Sequence, residues 1–488
     1  MGFVRVTAAV LLAVVLLCGA LTAGGFENSG VGTKARGMGG AFRAVADDWT
    51  AAFYNPAGYA QIPDNQFGAN AGFLHLRDQL TPDYQGINMP AENGMYNGLT
   101  VYNTHAVLSM PSAGFVVRLP FWGETVMGLS AYQPFDQNIR WDLFRPERAY
   151  NDSAHYRTYD EQFLNNLDVV AFQVTAAREF TPDKLSAGVG LQVLRGDLVF
   201  KNVYLRDNPF QPLSYRPYDH IPEYANNNGN GWGFGLKAGL LWKQSEKLNV
   251  GFTASLPFTL TLKGTSHLTF VMPHNPSVVT FSQDYPVGSV GYLFAAGQDI
   301  NLNADFEAKL KLPPSVGMGL SYAVHDKVTV ALDAEYTLWS RFEGLSFTYS
   351  NWQGLTGAAD SAAVRDFFAS NLNNPADWKN TIKLAMGSAY EFNQYVTFLG
   401  GVSLDQAAVK DETVIPQFVD AGSRFGLSGG VLVHIQRWDL GLTTSYSRLS
   451  SVEVTGLTDT DGDGVNDNFP GDYKGGTYET ILSFNYRY

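Results

Sequence analysis

The chain has 488 residues, of which 45% are hydrophobic and only 16% are charged, and its formal net charge is −13. This apolar content argues against a disordered chain, and the negative charge argues against a nucleic-acid partner, which needs a basic surface. The 50 glycines and the 14% of aromatic residues are more typical of strands than of helices. The single cysteine, Cys18, lies in a segment that we expect to be removed, so no disulfide is expected.

Residues 1–23 are predicted to be a signal peptide. Arg5 supplies the positive start, an apolar run follows at 10–17, and small residues lead through Ala23. The alternative is a membrane anchor, but the apolar run is shorter than the roughly 20 residues that a spanning helix needs. A lipoprotein is disfavoured because Leu17 precedes Cys18, where a small residue is expected. The cleavage site stays open.

Residues 24–63 are rich in glycine and show no two-residue alternation. Glycine permits tight turns and a close approach to neighbouring backbone. Apolar residues such as Phe26 and Trp49 need burial. We therefore expect this segment to fold into the lumen of a barrel as an N-terminal hatch, and a flexible periplasmic tail is the alternative. Its characteristic residues are Asp47, Asp48, Asn55, Pro56, Ala57 and Gly58.

A two-residue alternation of apolar and polar side chains runs through much of the remaining chain. It is clearest at 232–243, 248–263 and 328–338. This period indicates a sheet with one apolar and one polar face, which a soluble sandwich also has. A membrane barrel is favoured because these strands exceed the roughly five or six residues of an average soluble strand. Tryptophans near the strand ends would form its aromatic girdle: Trp232, Trp242, Trp339 and Trp438.

Residues 64–488 are predicted to form an all-β transmembrane antiparallel barrel of about fourteen strands. The strands are expected near 67–77, 103–119, 123–134, 167–180, 184–206, 231–243, 246–266, 300–324, 327–349, 379–392, 394–408, 423–436, 438–455 and 473–488. Tight turns follow the even strands and mostly long loops follow the odd ones, as in barrels with short periplasmic turns and long external loops. Both chain ends are then periplasmic, and the last strand ends on the aromatic Tyr488.

The last long loop has the spacing of a calcium loop. Asp459, Asp461, Asp463 and Asp467 stand at positions 1, 3, 5 and 9 of such a loop. Pro470 occupies position 12, where a glutamate is expected, so a solvated acidic turn is the alternative. Calcium is the one cofactor that the sequence suggests.

Several motifs occur in the order found in a known family. They are Gly25-Phe26, Gly30-x-Gly32, Gly40-Ala41, Ala46-Asp47-Asp48, Asn55-Pro56-Ala57-Gly58, Leu312-Pro313-x-Ser315-Val316, Trp339-Ser340-x-Phe342 and Ile415-Pro416. With these motifs the chain resembles the FadL/TodX family of outer-membrane transporters for long-chain fatty acids and aromatic hydrocarbons. The resemblance implies a hatch that plugs a fourteen-stranded barrel, in agreement with the strand pattern.

The resemblance also implies a route for the ligand. In the family, external loops catch a hydrophobic ligand, which passes to an apolar pocket and leaves sideways through a gap at a kinked third strand. Gly128 and Pro134 are the candidates for this kink and gate, because proline removes a ladder hydrogen bond. The alternative is that the strand simply ends at Pro134. Loop 207–230 lacks the helical period expected of the family, and 361–371 is the better helix candidate.

The sequence thus predicts outer-membrane transport of hydrophobic compounds, long-chain fatty acids or aromatic hydrocarbons, through a plugged barrel with lateral release. The alternative is a barrel scaffold that binds protein cargo in a type IX-like secretion system. No enzyme is expected, since the histidines and serines assemble no nucleophile motif. The expected partners are hydrophobic small molecules, outer-membrane lipid and lipopolysaccharide, and the barrel-assembly machinery.

Overall fold

The computed structural model describes residues 25–83, 98–103, 107–119, 125–143, 162–210, 220–281, 283–418, 422–463 and 465–488. The strands are β1 (Gln66–Leu76), β2 (Gln79–Pro82), β3 (Val101–Tyr102), β4 (Val107–Leu119), β5 (Thr125–Trp141), β6 (Phe163–Thr181), β7 (Leu185–Asp207), β8 (His220–Lys243), β9 (Leu248–Pro257), β10 (Leu260–Phe270), β11 (Ile300–Leu310), β12 (Ser315–His325), β13 (Val328–Thr337), β14 (Phe347–Gln353), β15 (Thr381–Asn393), β16 (Val396–Asp405), β17 (Arg424–Ile435), β18 (Trp438–Val454) and β19 (Gly471–Arg487).

The helices in this part of the chain are short. The α-helices are Thr33–Gly37, Ala51–Tyr54, Pro276–Phe281, Val290–Leu293 and Arg365–Phe368, and the 3-10 helices are Pro56–Gln61, Trp339–Arg341, Gly357–Asp360 and Asp411–Thr413. Within the described residues, none of the helices has the length and apolar character needed to cross a membrane.

The strands form one antiparallel sheet that closes on itself. β1 pairs with β19 on one side and with β4 on the other. Three wall strands are each interrupted once and therefore consist of two labelled segments: β9 and β10, β11 and β12, and β13 and β14. β2 and β3 are not separate wall strands, because they only lengthen a hairpin beside β19. The described residues therefore form a closed barrel of fourteen wall strands, as the sequence predicts.

The outer face of the wall carries many exposed apolar side chains. The exposed fraction is 61% for Leu191, 62% for Phe234, 46% for Leu256 and 50% for Leu482. Side chains of this kind are the lipid-facing half of the alternation in a transmembrane barrel. Hydrocarbon rather than water is the solvent that suits this surface.

The alternation reverses where a wall strand is interrupted. Between β9 and β10 the register against β8 shifts by one residue. One extra residue moves all later side chains to the opposite face. Phe258 is 55% exposed, whereas Leu260 and Leu262 are completely buried. The prediction of one continuous apolar face over 248–263 is therefore wrong beyond Phe258.

Other boundaries also differ from the prediction. The third wall strand does not end at Pro134, because β5 continues to Trp141. β8 begins at His220, so much of the predicted loop 207–230 is strand. The helix candidate at 361–371 is reduced to the single turn Arg365–Phe368.

One tryptophan of the predicted girdle is not on the lipid face. Trp232, Trp242 and Trp438 are 45% or more exposed, but Trp339 is only 1% exposed. β13 ends at Thr337, and Trp339 begins a 3-10 helix that turns inward. The two-residue alternation does not apply beyond the end of the strand.

Candidate functional site

Residues 25–62, referred to below as the lumen segment, lie inside the barrel and contact strands around the whole wall. Wall glycines make room for these contacts, because a Cβ atom on them would overlap the segment. Each of these glycines faces a residue of the lumen segment: Gly68 and Gly114 face Trp49, Gly128 faces Tyr59, Gly188 faces Pro56, Gly239 faces Asn55, and Gly387 and Gly401 face Met38. The backbone of the lumen segment therefore approaches the wall closely.

Asn55 joins the lumen segment to itself and to the wall. Its side-chain oxygen accepts from the main-chain nitrogen of Ala57 at 3.1 Å, which starts the 3-10 helix after Pro56. Its side-chain nitrogen donates to the carbonyl oxygens of Arg43 at 2.8 Å and Leu240 at 3.1 Å. A Cβ atom on Gly58 would lie 2.1 Å from the carbonyl oxygen of Ala46. The motif thus fixes a compact turn against β8.

Asp47 and Asp48 stabilise a turn of the lumen segment. Lys34 donates to the Asp47 carboxylate at 2.6 Å, and Asp48 accepts from the main-chain nitrogen of Thr50 at 2.8 Å. Burial, together with the neighbouring charge of Asp47, raises the pKa of Asp48 to about 6. These contacts hold the turn, and both residues also line a cavity of about 220 Å³ whose other lining residues are mostly polar or charged.

Two buried arginines tie the lumen segment to two separate parts of the wall. The Nε atom of Arg36 donates to Glu479 on β19 at 2.8 Å, and Ser445 donates to the same carboxylate at 2.9 Å. Arg43 lies 3.2 Å from Asp333 and 2.5 Å from Glu335, both on β13. A buried charge is stable only when it is paired in this way.

The phenyl ring of Phe26 lies in an aromatic cage. Ring centroids of the cage residues lie between 5.1 and 5.9 Å from that of Phe26: Phe135 at 5.9 Å, Trp339 at 5.1 Å, Phe342 at 5.2 Å, Trp378 at 5.9 Å and Phe418 at 5.8 Å. Most of these contacts are edge-to-face, the geometry that aromatic quadrupoles favour. The cage residues come from four separate parts of the chain.

The third wall strand carries a bulge at Pro134. Against β6, Tyr132 pairs with Ala171 and Phe135 pairs with Val169, so two residues of β5 face one residue of β6. The main-chain nitrogen of Asn28 donates to the carbonyl oxygen of Pro134 at 2.9 Å. The nitrogen of Asp136 donates to the carbonyl oxygen of Phe26 at 3.2 Å. The start of the lumen segment is thus held by the bulge.

The wall is open beside this bulge. The pairing of β4 with β5 runs only from Leu119↔Thr125 to Ala113↔Ala131 in the described residues. Residues 107–112 of β4 still pair with β1 on their other side. A cavity of about 50 Å³ lies at this gap, and Phe26, Met110 and Ile139 are among its lining residues. The Phe26 cage therefore adjoins an opening in the wall.

The two predicted gate residues have different settings. Pro134 lies in the bulge. Gly128 pairs regularly with Val116 and Thr175, and a Cβ atom there would lie 2.5 Å from the Tyr59 ring. Gly128 accommodates the lumen segment and does not interrupt the strand.

The acidic loop before β19 brings three of the four predicted ligands together. Carboxylate oxygens of Asp459, Asp461 and Asp463 lie within 4.8 Å of one another. Asp467 instead accepts from the main-chain nitrogen of Thr460 at 2.6 Å. Burial, and then the neighbouring acidic residues, raise the pKa of Asp463 to about 6.

The sequence singled out residues 24–63, Pro134 and the acidic loop as candidates, and it did not single out the Phe26 cage. Gly25-Phe26, Trp339-Ser340-x-Phe342 and Ile415-Pro416 were recognised only as motifs, and three cage residues lie within or close to them. The signal was therefore present, but nothing local showed that these segments meet.

Comparison with known proteins identifies the family. Residues 14–488 match the family model described as outer membrane protein transport protein (OMPP1/FadL/TodX). The chain belongs to this family. It is 22% identical over 440 residues to the long-chain fatty acid transport protein of Salmonella typhi, covering 88% of this chain and 87% of that protein.

Solved structures share the fold of this FadL/TodX family member. A Pseudomonas aeruginosa FadL homologue superposes with a TM-score of 0.71 at 18% identity, covering 95% of this chain and 99% of that structure. The Pseudomonas putida toluene transporter TodX superposes with a TM-score of 0.67 at 14% identity, covering 94% and 99%. The protein is an outer-membrane β-barrel transport protein, and the comparisons give no support to the secretion-scaffold alternative.

Proposed function

We propose that this barrel carries hydrophobic compounds across the outer membrane and releases them sideways through the gap between β4 and β5. The observation that carries the proposal is the position of the Phe26 cage beside that gap. A lateral exit delivers a hydrophobic ligand to lipid, so the ligand need not re-enter water. The long-chain fatty acids and toluene named for the relatives are the model ligands.

In this proposal the lumen segment is the hatch. Residues 30–62 stay docked through Arg36, Arg43 and Asn55. Residues 25–29 are the moving part, since their link to the wall consists mainly of main-chain bonds to the β5 bulge and ring contacts in the cage. Pro134 is proposed as a gate residue, whereas Gly128 is proposed to seat the hatch.

Deletion of Pro134 tests the lateral route. Removing one residue restores regular pairing of β5 with β6, because the bulge contains one extra residue. Uptake of radiolabelled toluene and oleate into cells carrying the deletion should fall to the level of cells that lack the gene. Pro134→Ala keeps the extra residue and should retain uptake. Equal uptake by the deletion and the wild type would refute lateral release.

We further propose that the acidic loop binds calcium outside the cell. The three clustered carboxylates of Asp459, Asp461 and Asp463 support this, because calcium prefers oxygen ligands. Calorimetric titration of the purified barrel with calcium should show binding that Asp461→Asn weakens. An unchanged heat signal in that variant would count against the site.

The proposal assigns no catalytic role to any residue. Outer-membrane lipid and lipopolysaccharide are expected to surround the apolar wall, and the barrel-assembly machinery is expected to insert it. The contact with lipopolysaccharide is tested by measuring whether lipopolysaccharide is recovered with the purified barrel, with a lipid-free preparation as the control.

A further inference from the structure

The outer face of the wall has an apolar groove across β12, β13, β15 and β16, referred to below as the wall groove. Ala334 of β13 pairs with Met318 of β12 on one side and with Leu384 of β15 on the other. A methyl group between two long side chains leaves a depression, and the volume of the groove is about 260 Å³. Its outward-facing lining residues are Met318, Leu332, Ala334, Leu384, Met386 and Leu404. Met318 and Leu332 are 43% and 41% exposed, so the groove opens toward lipid.

The wall groove lies in the outer half of the lipid-facing surface. On β13, Tyr336 follows Ala334 on the same face and is exposed, and the long connection to β15 begins two residues later. At the other end of this surface, Tyr390 and Phe398 are exposed beside the short turn between β15 and β16. Aromatic residues mark both interfaces of a transmembrane barrel, and its long connections lie outside the cell. Tyr336 therefore marks the outer interface, and the groove begins directly beneath it.

Two cations stand above the wall groove, where the chain leaves the membrane. Arg341 lies on the segment that continues β13 outward, and Lys379 lies on the segment that leads into β15. The main-chain nitrogen of Ser340 donates to the side-chain oxygen of Asn380 at 3.0 Å, so these two segments run side by side. Both cations are exposed. They are thus placed at the level of the lipid headgroups.

These two cations are not neutralised by the protein. In the part of the chain that the structure describes, neither Arg341 nor Lys379 forms an ion pair with a carboxylate. Lys311 nearby is paired with Glu343, so it is less available to a ligand. A guanidinium binds phosphate through two parallel hydrogen bonds, and an ammonium binds it as a point charge. The rim of the groove can therefore hold a phosphate group.

The groove and the cations together match one lipid of the outer leaflet. Lipopolysaccharide fills that leaflet, and its lipid A part carries both acyl chains and phosphate groups. Burial of apolar surface alone selects nothing here, because lipid tails already surround the wall. Selectivity has to come from the shape of the depression, which adds dispersion contacts with an acyl chain, and from the unpaired cations.

We propose that the wall groove is a binding site for lipid A, with an acyl chain over Ala334 between Met318 and Leu384 and a phosphate group held by Arg341 and Lys379. This inference rests on the proposed contact of the barrel with lipopolysaccharide and assigns that contact one site. The groove lies on the eighth to eleventh wall strands, and the gap between β4 and β5 lies between the second and third. The lipid site is thus on the opposite side of the barrel from the proposed exit.

Native mass spectrometry of the mature barrel, freed of co-purified lipid in detergent and titrated with lipid A, measures this binding. The double variant Arg341→Gln, Lys379→Gln should weaken binding about tenfold, because it removes two cations that face anionic headgroups. The matched control is Arg178→Gln, Lys247→Gln, which removes the same charge from exposed positions at the periplasmic end of the wall. The control should bind lipid A as the wild type does.

A second pair of variants tests the shape of the groove. Ala334→Phe fills the depression and should weaken binding of lipid A several-fold, because the acyl chain loses its contacts with Met318 and Leu384. Ala238→Phe adds the same ring to the lipid-facing side of β8, outside the groove, and should leave binding unchanged. Both alanines point outward, so neither new ring enters the interior of the barrel.

Several results would overturn the inference. They are unchanged binding of lipid A in the double variant or in Ala334→Phe, an equal loss in the matched controls, and binding of phosphatidylglycerol as tight as that of lipid A, which would indicate a phospholipid site. A dimer that Ala334→Phe abolishes would assign the groove to a second copy of the chain and would also overturn it.

Uptake assays separate this inference from the transport function. Cells carrying Ala334→Phe should take up toluene and oleate at the wild-type rate, because the groove lies away from the gap between β4 and β5. Equal uptake by wild-type cells and by cells that lack the gene would refute transport and leave the lipid site standing. Loss of selective lipid A binding with normal uptake would refute the lipid site and leave transport standing.

Discussion

The main-chain nitrogen of Asn28 donates to the carbonyl oxygen of Pro134, 2.9 Å away, so the start of the lumen segment closes on the one bulged residue pair of β5. Pro134 lies in the bulge, where the pairing of β5 with β6 is irregular. The same hydrogen bond therefore gives the carbonyl group of the bulge a partner and restrains residues 25–29 beside the wall gap.

Asn28→Pro should release this restraint, because proline has no main-chain N–H. Loss of one such hydrogen bond costs roughly 1 kcal/mol, so opening of residues 25–29 should become several-fold more frequent. Hydrogen exchange of the Asp136 amide, read by mass spectrometry, measures the opening. Asn28→Ala is the control, since it removes the side-chain contacts to Met110 and Gly30 but keeps the main-chain donor. Equal exchange of the Asp136 amide in both variants would contradict the restraint by the main-chain bond from Asn28 to Pro134.

Gly401→Ala should displace the lumen segment and make the barrel leak ions. Its Cβ atom would lie 2.2 Å from the main-chain nitrogen of Gly39 and 2.3 Å from the carbonyl carbon of Met38, and backbone cannot yield locally. Gly400→Ala is a matched control one residue away, where the nearest atom lies 3.9 Å from the new Cβ. Planar-bilayer conductance should rise for the first variant and stay at the wild-type level for the second. Similar conductance for both would show that the segment does not seal the lumen.

Arg36→Met should loosen the lumen segment strongly, because it leaves Glu479 buried without its cation. Breaking a buried pair from one side costs about 3–5 kcal/mol, whereas replacing both partners with apolar residues is much less costly. The free energy of opening, from hydrogen exchange, should recover in the double variant Arg36→Met, Glu479→Leu. Lys34→Met, which removes a more exposed ion pair with Asp47, should cost less than about 1 kcal/mol.

The acidic loop should become more stable as the pH falls. The pKa of Asp463 is raised in the folded loop to about 6 from its usual value of 3.8, so folding favours the protonated form. Stability is therefore lost as the pH rises from about 4 to about 6 and is constant above that range. Proteolysis within 456–470, measured without divalent cations, should be slower at low pH. Asp463→Asn should weaken the dependence, and the remainder is expected from Asp467, because burial raises its pKa as well. A profile that the variant leaves unaltered would contradict the role of Asp463.

The barrel was predictable because its signals are local. The two-residue alternation arises because each strand has one face toward lipid. The alternation of short and long loops arises because the two sides of the membrane differ. These two patterns were enough to place the fourteen wall strands. The reversal of faces after Phe258 was not predictable, since a single inserted residue leaves the apolar count unchanged while exchanging inside and outside. The burial of Trp339 was missed because β13 ends at Thr337, and the two-residue alternation does not apply in the 3-10 helix that follows.

The site was only partly predictable. Asn55 could be singled out with Pro56 as a turn, but its bond to Leu240 depends on how the segment lies in the barrel. Phe26 and Phe418 are far apart in sequence, and their contact requires the whole barrel to be assembled. No local pattern encodes a meeting of that kind.

Arg36 and Glu479 are separated by 443 positions in the chain. During synthesis and export, the residue that will neutralise Arg36 is therefore among the last to arrive. Contacts of such long range form slowly, since the intervening loop must first be ordered. Sealing of the barrel thus depends on completion of its final strand, so a chain interrupted before β19 would have neither a closed wall nor the partner that anchors Arg36.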